Sequence, residues 1–204
     1  LVCGIITGAI SVACRLPSFI VSLVMLEAVR GSAYLVTDSR TQYVGDAISW
    51  LTTQYLGGIS VAFLIALALV VVAQLVLTRT VFGRSVVGIG TNEEAMRLAG
   101  VDPRPVRIIV FALTGLMAGL AGLMQSARLE AADPNGGTGV ELQVIAAVVI
   151  GGTSLMGGRG SVVTTAFGVL IIAVLEAGLA QVGASEPSKR IITGVVIVAA
   201  VIID

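Results

Sequence analysis

Charged side chains fall in clusters along the chain, and long apolar runs separate them. No charged residue lies between Asp46 and Arg79, and residues 59–77 are nearly continuously apolar, with Gln74 as the main polar interruption. That is about the 20 residues an α-helix needs to cross a bilayer core. Further uncharged runs lie between Arg107 and Arg128, between Glu141 and Arg159, over 160–175 and over 191–203. At the front, residues 1–14 read as the tail of one span and 17–35 as another. The pattern predicts an all-α, polytopic membrane protein of about six to seven transmembrane or partly re-entrant helices.

Two of these runs are weak as spans. Residues 142–158 are short and end in Gly and polar residues, and the run after Pro17 contains Glu27 and Arg30. Charge in a bilayer is costly, so such segments need protein neighbours rather than lipid on every side. Backbone leaves the helix at membrane depth only where protein or water satisfies it, which makes broken or re-entrant helices the expectation here.

Composition agrees with this class. Charged residues make up 12% of the chain and hydrophobic ones 56%, against about 25% charged in soluble domains. Twelve basic and twelve acidic side chains cancel, so the basic excess expected for a nucleic-acid partner is missing. With no His, the commonest general base and metal ligand is absent. Cys3 and Cys14 stand on apolar stretches outside any metal-ligand spacing and read as inert thiols. The opening Leu1-Val2-Cys3-Gly4 reads as the inside of a helix, so the expectation is a single membrane domain over 1–204, N-terminally truncated.

Arg84, Arg97 and Arg104 lie in one polar connection over 80–105 and Arg79 and Arg107 flank it, and the positive-inside rule places it in the cytoplasm. Counting spans outward puts Arg15 and 157–160 inside, and 37–57 and 128–140 outside. Lys189 and Arg190 then land outside, against the rule.

Within that connection, residues 91–103 predict a short, well-marked helix. Thr91 is the expected N-cap, with Glu94 completing a capping box. Glu93 and Glu94 favour the first turn, and Glu93 stands four residues before Arg97. Gly100 is placed to end the helix in the left-handed conformation, with Pro103 beyond it. Ala95, Leu98 and Ala99 form a small apolar face. Two turns of helix are unstable alone. Either the segment only joins two spans, or it is a docking element for a cytoplasmic partner.

Gly115, Gly119 and Gly122 recur at four and three residues and share one helix face, where another helix can approach closely. Gly88-Ile89-Gly90 and the Gly-rich run 151–160 do not fit phosphate loops, because neither is followed by Lys and Ser/Thr and no lysine precedes Lys189. The Gly-rich run instead suits a bend and tight packing at a membrane interface. Glu130, Asp133, Glu141 and Glu176 make no convincing catalytic constellation without His. Glu176 lies near the outer end of an expected span, as a pathway-lining or interfacial acid. Gln125, Glu141 and Gln143 flank the same expected outer mouth and are candidate polar contacts for a hydroxylated solute.

The chain resembles the permease subunits of bacterial ATP-binding-cassette importers for simple sugars, the ribose and related monosaccharide group. The likeness is carried by Arg15-Leu16-Pro17-Ser18-Phe19-Ile20-Val21-Ser22-Leu23, by Gly88-Ile89-Gly90-Thr91-Asn92-Glu93-Glu94-Ala95-Met96-Arg97-Leu98-Ala99-Gly100-Val101, by Pro134-Asn135-Gly136-Gly137-Thr138-Gly139-Val140-Glu141-Leu142, and by Ile150-Gly151-Gly152-Thr153-Ser154-Leu155 with Gly157-Gly158-Arg159-Gly160. It covers nearly the whole chain and implies a subunit of about ten spans, of which this chain lacks the first part. It further implies a pair of such subunits, expected to be a homodimer, forming the pathway in the bacterial cytoplasmic (inner) membrane. A cytoplasmic ATPase would carry ATP and Mg, with no cofactor bound by this chain and no catalysis in it. A periplasmic or lipid-anchored binding protein would deliver the sugar. Asn92, Glu93, Glu94, Ala95, Arg97, Leu98 and Gly100 match the family's coupling region. Related folds serve nucleosides, furanose-like signals and branched-chain amino acids, and a non-transporting scaffold is the remaining alternative.

Overall fold

The structure is a computed structural model describing residues 1–14, 16–44, 55–56, 59–183 and 185–203, with the side chains of 55, 56, 59, 186, 190 and 197–203 excepted. Arg15, expected inside, and the stretch 45–54 of the expected outer segment lie outside the described residues. The helices are α1 (Val2–Ala13), α2 (Ser18–Thr37), α3 (Val61–Arg79), α4 (Val81–Thr91), α5 (Glu93–Leu98), α6 (Pro103–Leu129), α7 (Val140–Ile150), α8 (Val162–Gln181) and α9 (Glu186–Ile203). Four of them, α2, α3, α6 and α8, are long and apolar enough to cross a membrane. Helices α1 and α7 are apolar and shorter. The all-α, multi-pass membrane class read from the sequence is what the structure shows. The chain divides into two units, 1–67 with 102–136 and 68–101 with 137–204.

In the first unit α1 lies against α6. Gly4, Thr7, Gly8 and Ser11 are the buried residues of α1, a stripe of small side chains at helical spacing. A Cβ at Gly4 would run into the Phe111 carbonyl, and one at Gly8 would sit 3.0 Å from Ile108 Cα. Without a hydrophobic drive between helices in lipid, such close backbone approach is what holds a pair together. The stripe's polar atoms are satisfied locally. Thr7 Oγ1 donates to the Cys3 carbonyl at 2.8 Å, and Ser11 Oγ lies 3.0 Å from Ser18 Oγ on α2. Helix α2 carries the Arg30–Glu27 ion pair at 3.5 Å, which lowers the cost of two charges in an apolar run.

Two short ladders complete this unit. Strand β1 (Gln42–Tyr43) pairs antiparallel with β4 (Ala131–Ala132), and β2 (Tyr55–Leu56) with β3 (Ile59–Ser60). The first joins the loop after α2 to the loop after α6, and the span count had put both on one side. Val44 N–H donates to the Glu130 carbonyl at 3.0 Å and Tyr34 OH to Asn135 Oδ1 at 2.7 Å, extending the same junction.

The second unit is built on a hairpin of α7 and α8. Ala146, Ala147 and Ile172 form its core, with Ile150 against them. A Cβ at Gly168 of α8 would strike the Ala147 carbonyl, and one at Gly151 would sit 2.6 Å from Thr165 Cα. Thr153 and Thr165 hydroxyls meet at 3.0 Å. The 11 residues of α7 rise about 16 Å, roughly half the apolar thickness of a bilayer. This is the run that sequence marked as too weak to span. Helix α9 packs on α7.

Gln74 of α3 explains its own presence in an apolar run. Its Oε1 accepts from Val162 N–H at 2.9 Å, Val163 N–H at 3.3 Å and Ser161 Oγ at 3.3 Å. The first N–H groups of a helix have no partner inside it. Ser161, the N-cap of α8, makes no side-chain cap bond, so Gln74 supplies the missing acceptor from a different helix.

Candidate functional site

The segment 80–101 of the second unit is a pair of helices hinged at one residue. Thr80 caps α4, its Oγ1 accepting from Gly83 N–H at 3.1 Å. A Cβ at Gly83 would collide with the Leu77 carbonyl, so only glycine permits the sharp turn out of α3. Asn92 then ends α4 and starts α5. Its extended backbone breaks the helix, and its Oδ1 accepts from Ala95 N–H at 2.9 Å. The expected cap at Thr91 is therefore corrected by one residue. Thr91 lies in α4 and its Oγ1 donates back to the Val87 carbonyl at 3.0 Å, which leaves no role for it as the cap of α5. The helix α4 itself was missed by sequence reading, although Thr80 with Gly83 marks its start.

The end of α5 is as expected. Gly100 has φ +86, and Val101 N–H donates to the Met96 carbonyl while Gly100 N–H donates to the Arg97 carbonyl, both at 3.0 Å. This is the paired bonding of a Schellman end. In the other unit, Asp102 caps α6 by accepting from Arg104 N–H at 3.0 Å, with Pro103 in the first turn.

Orientation of α5 follows from Met96. Its sulfur would lie 2.7 Å from a Cβ at Gly88, so Met96 packs down onto α4 where glycine leaves room. Glu93 and Met96 are half-buried, whereas Glu94, Ala95, Arg97, Leu98, Ala99 and Gly100 are exposed. Leu98 is 85% exposed, an apolar side chain with nothing of its own unit to cover it. The free face of α5 is thus Ala95 and Leu98 between one acid and one base.

The Gly-rich turn after α7 reaches the same place. A Cβ at Gly90 would sit 2.6 Å from Gly158 N, and one at Gly157 2.9 Å from the Gly90 carbonyl oxygen. Gly152, Gly157 and Gly158 have positive φ, which L side chains rarely adopt. Both glycine runs set aside as phosphate loops therefore meet each other, at Gly90, two residues before the hinge into α5.

At its other end the α7–α8 hairpin carries polar groups. Gln143 Nε2 donates to Glu176 Oε1 across the two helices. Glu141 is exposed and its Oε2 accepts from Gly139 N–H at 3.1 Å, closing the start of its own helix. Sequence reading kept Gln143 and Glu176 apart as separate candidates, because a separation of 33 positions hides their contact. Gln125 is exposed on α6 and belongs to the first unit. Of the three glycines read as a packing face, Gly115 lies against Gly4, whose Cα would be 3.0 Å from a Cβ added at Gly115. A Cβ at Gly119 or Gly122 would meet no atom of the described residues within 4 Å. No group of three or more His, Cys, Asp or Glu suited to a metal occurs among the described residues.

Comparison with known proteins places this architecture. Residues 1–201 match the family described as branched-chain amino acid transport system / permease component. The ribose import permease protein of Escherichia coli (strain K12) is 39% identical over 206 residues, covering 98% of this chain and 64% of that protein. A probable ABC transporter permease protein of the same strain is 38% identical, covering 92% of this chain and 57% of its own length. Its L-arabinose transport system permease protein is 33% identical, with 98% and 61% covered. The chain thus spans 57–64% of the length of these relatives. No solved structure matches it. With nearly all of its length matched, the chain belongs to the family of branched-chain amino acid transport system permease components, and it is a multi-pass membrane protein.

Proposed function

We propose that this chain is part of the membrane subunit of an ATP-binding-cassette importer that carries a monosaccharide into the cell across the bacterial cytoplasmic membrane. The observation that carries the reading is the likeness to ribose and L-arabinose permeases over 98% of the chain. The subunit works with a second copy of itself to line the pathway, and a binding protein outside delivers the solute. A cytoplasmic ATPase holds ATP and Mg and docks on α5, where Glu94, Ala95, Arg97 and Leu98 face outward. Asn92 and Gly100 fix the ends of that helix, and Glu93 supports it from beneath. Gln125, Glu141 and Gln143 line the outer part of the pathway. The subunit does no bond chemistry, and hydrolysis resides in the ATPase.

The description of the matched family favours one second reading, a branched-chain amino acid as solute. Uptake by the full-length subunit, reconstituted in proteoliposomes with its ATPase and binding protein, separates the two. Accumulation of one monosaccharide and exclusion of leucine, isoleucine and valine is the expected result. Accumulation of the amino acids alone would overturn the sugar reading.

A further inference from the structure

We infer that Gln143 and Glu176 together form a solute-contacting subsite that grips neighbouring hydroxyl groups of a neutral polyol as it passes. This rests on the importer reading above and adds to it a residue, Glu176, and a recognition chemistry. Glu176 lies on α8, a helix long and apolar enough to span the membrane, about one and a half turns inside its Gln181 end. An acid at such a place is costly and needs a partner or a purpose. Its partner is Gln143, which reaches across from α7 and donates through Nε2. Ala146, Ala147 and Ile172 lie about one turn away along the two helices, so the pair sits on the hairpin's apolar core.

One amide bond does not satisfy a carboxylate. Among the described residues, Glu176 Oε2 and Gln143 Oε1 accept no hydrogen bond, and both side chains are half-buried rather than sealed. The pair therefore presents two unfilled acceptors held together by the donor between them. Two adjacent O–H groups are the complement of that arrangement, since each hydroxyl offers one donor. A divalent cation is a poorer fit, because calcium or magnesium takes six or more oxygens, the pair holds a single acid, and no group of three or more His, Cys, Asp or Glu that could hold a metal occurs among the described residues. An apolar amino-acid side chain would leave both acceptors empty.

The test uses the full-length subunit with its ATPase and binding protein in proteoliposomes. The probes are the best-transported monosaccharide of a panel and its single-deoxy analogues, each saturating. For each sugar the wild-type uptake rate is divided by that of Glu176→Gln, so effects of the binding protein cancel. A ratio of about tenfold is expected for the parent sugar, falling to about one for the analogue lacking the gripped hydroxyl. Gln143→Ala should give the same pattern, and ATP hydrolysis by the complex should persist in both. Equal ratios for every sugar would reduce the pair to a structural contact and overturn the subsite. A ratio of one throughout would do so as well. Failure of the wild-type complex to take up any monosaccharide is a different result, and it would remove the importer reading together with this site.

Discussion

Gln74 is the residue whose role the sequence concealed most fully. In sequence it is a blemish in an apolar span; in the structure it closes the start of α8 with three accepted bonds. Replacing it with Leu leaves two backbone N–H groups and a hydroxyl without an acceptor in an apolar setting. A loss of about 1–3 kcal/mol is expected, read as a lowered midpoint in detergent unfolding. Gln74→Glu keeps the acceptor and adds charge at a helix N-terminus, so it should stay near wild type. Equal loss in both would show that the amide's shape, not its oxygen, matters. Gly100 is the opposite case, readable from sequence because a left-handed helix end calls for glycine. Gly100→Ala at φ +86 should cost about 1 kcal/mol and loosen the end of α5, measurable as faster amide exchange at Val101.

At the scale of elements, local signals were legible and distant ones were not. The short helix of 93–98 was found with its C-terminus correct and its cap one residue off. Thr91 and Asn92 are both good caps, and only the break in backbone at Asn92 decides between them. The apolar runs gave the spans because length and hydropathy are local quantities. What joins them is not local: Gly90 with Gly158, Gly168 with Ala147 and Gln143 with Glu176 are each far apart in the chain. The Gly90 junction links the hairpin that bears the polar pair to the end of α4, two residues before the α5 hinge. Gly90→Val should wedge it open. Amide exchange over 151–160 is then expected to rise while that of α1 and α6 stays unchanged. Unchanged protection of the Gly-rich turn would show that the contact holds nothing.

For the whole molecule, sidedness is the first consequence of the proposed function. On that proposal the connection over 80–105 would face the cytoplasm and the loop at Tyr43 the outside. With Cys3 and Cys14 replaced by Ala, Leu98→Cys in intact inverted vesicles should react with an impermeant maleimide, and Tyr43→Cys only in right-side-out cells. The reverse labelling would turn the topology over. Family membership was legible because the matching segments recur in order along nearly the whole chain, whereas solute identity depends on side chains that converge only in three dimensions.

On the proposed function, α5 would pass the ATPase's motion to the membrane subunit. Its exposed face, with Leu98 85% exposed beside Glu94, is what the partner would hold. The most direct measurement is solute-stimulated ATP hydrolysis by the assembled full-length complex carrying Glu94→Ala and Leu98→Ala together. The complex is expected still to assemble and to retain basal hydrolysis, while stimulation by the loaded binding protein falls at least about tenfold, the equivalent of about 1.4 kcal/mol of lost coupling. Stimulation equal to wild type in an assembled complex would contradict that role of α5.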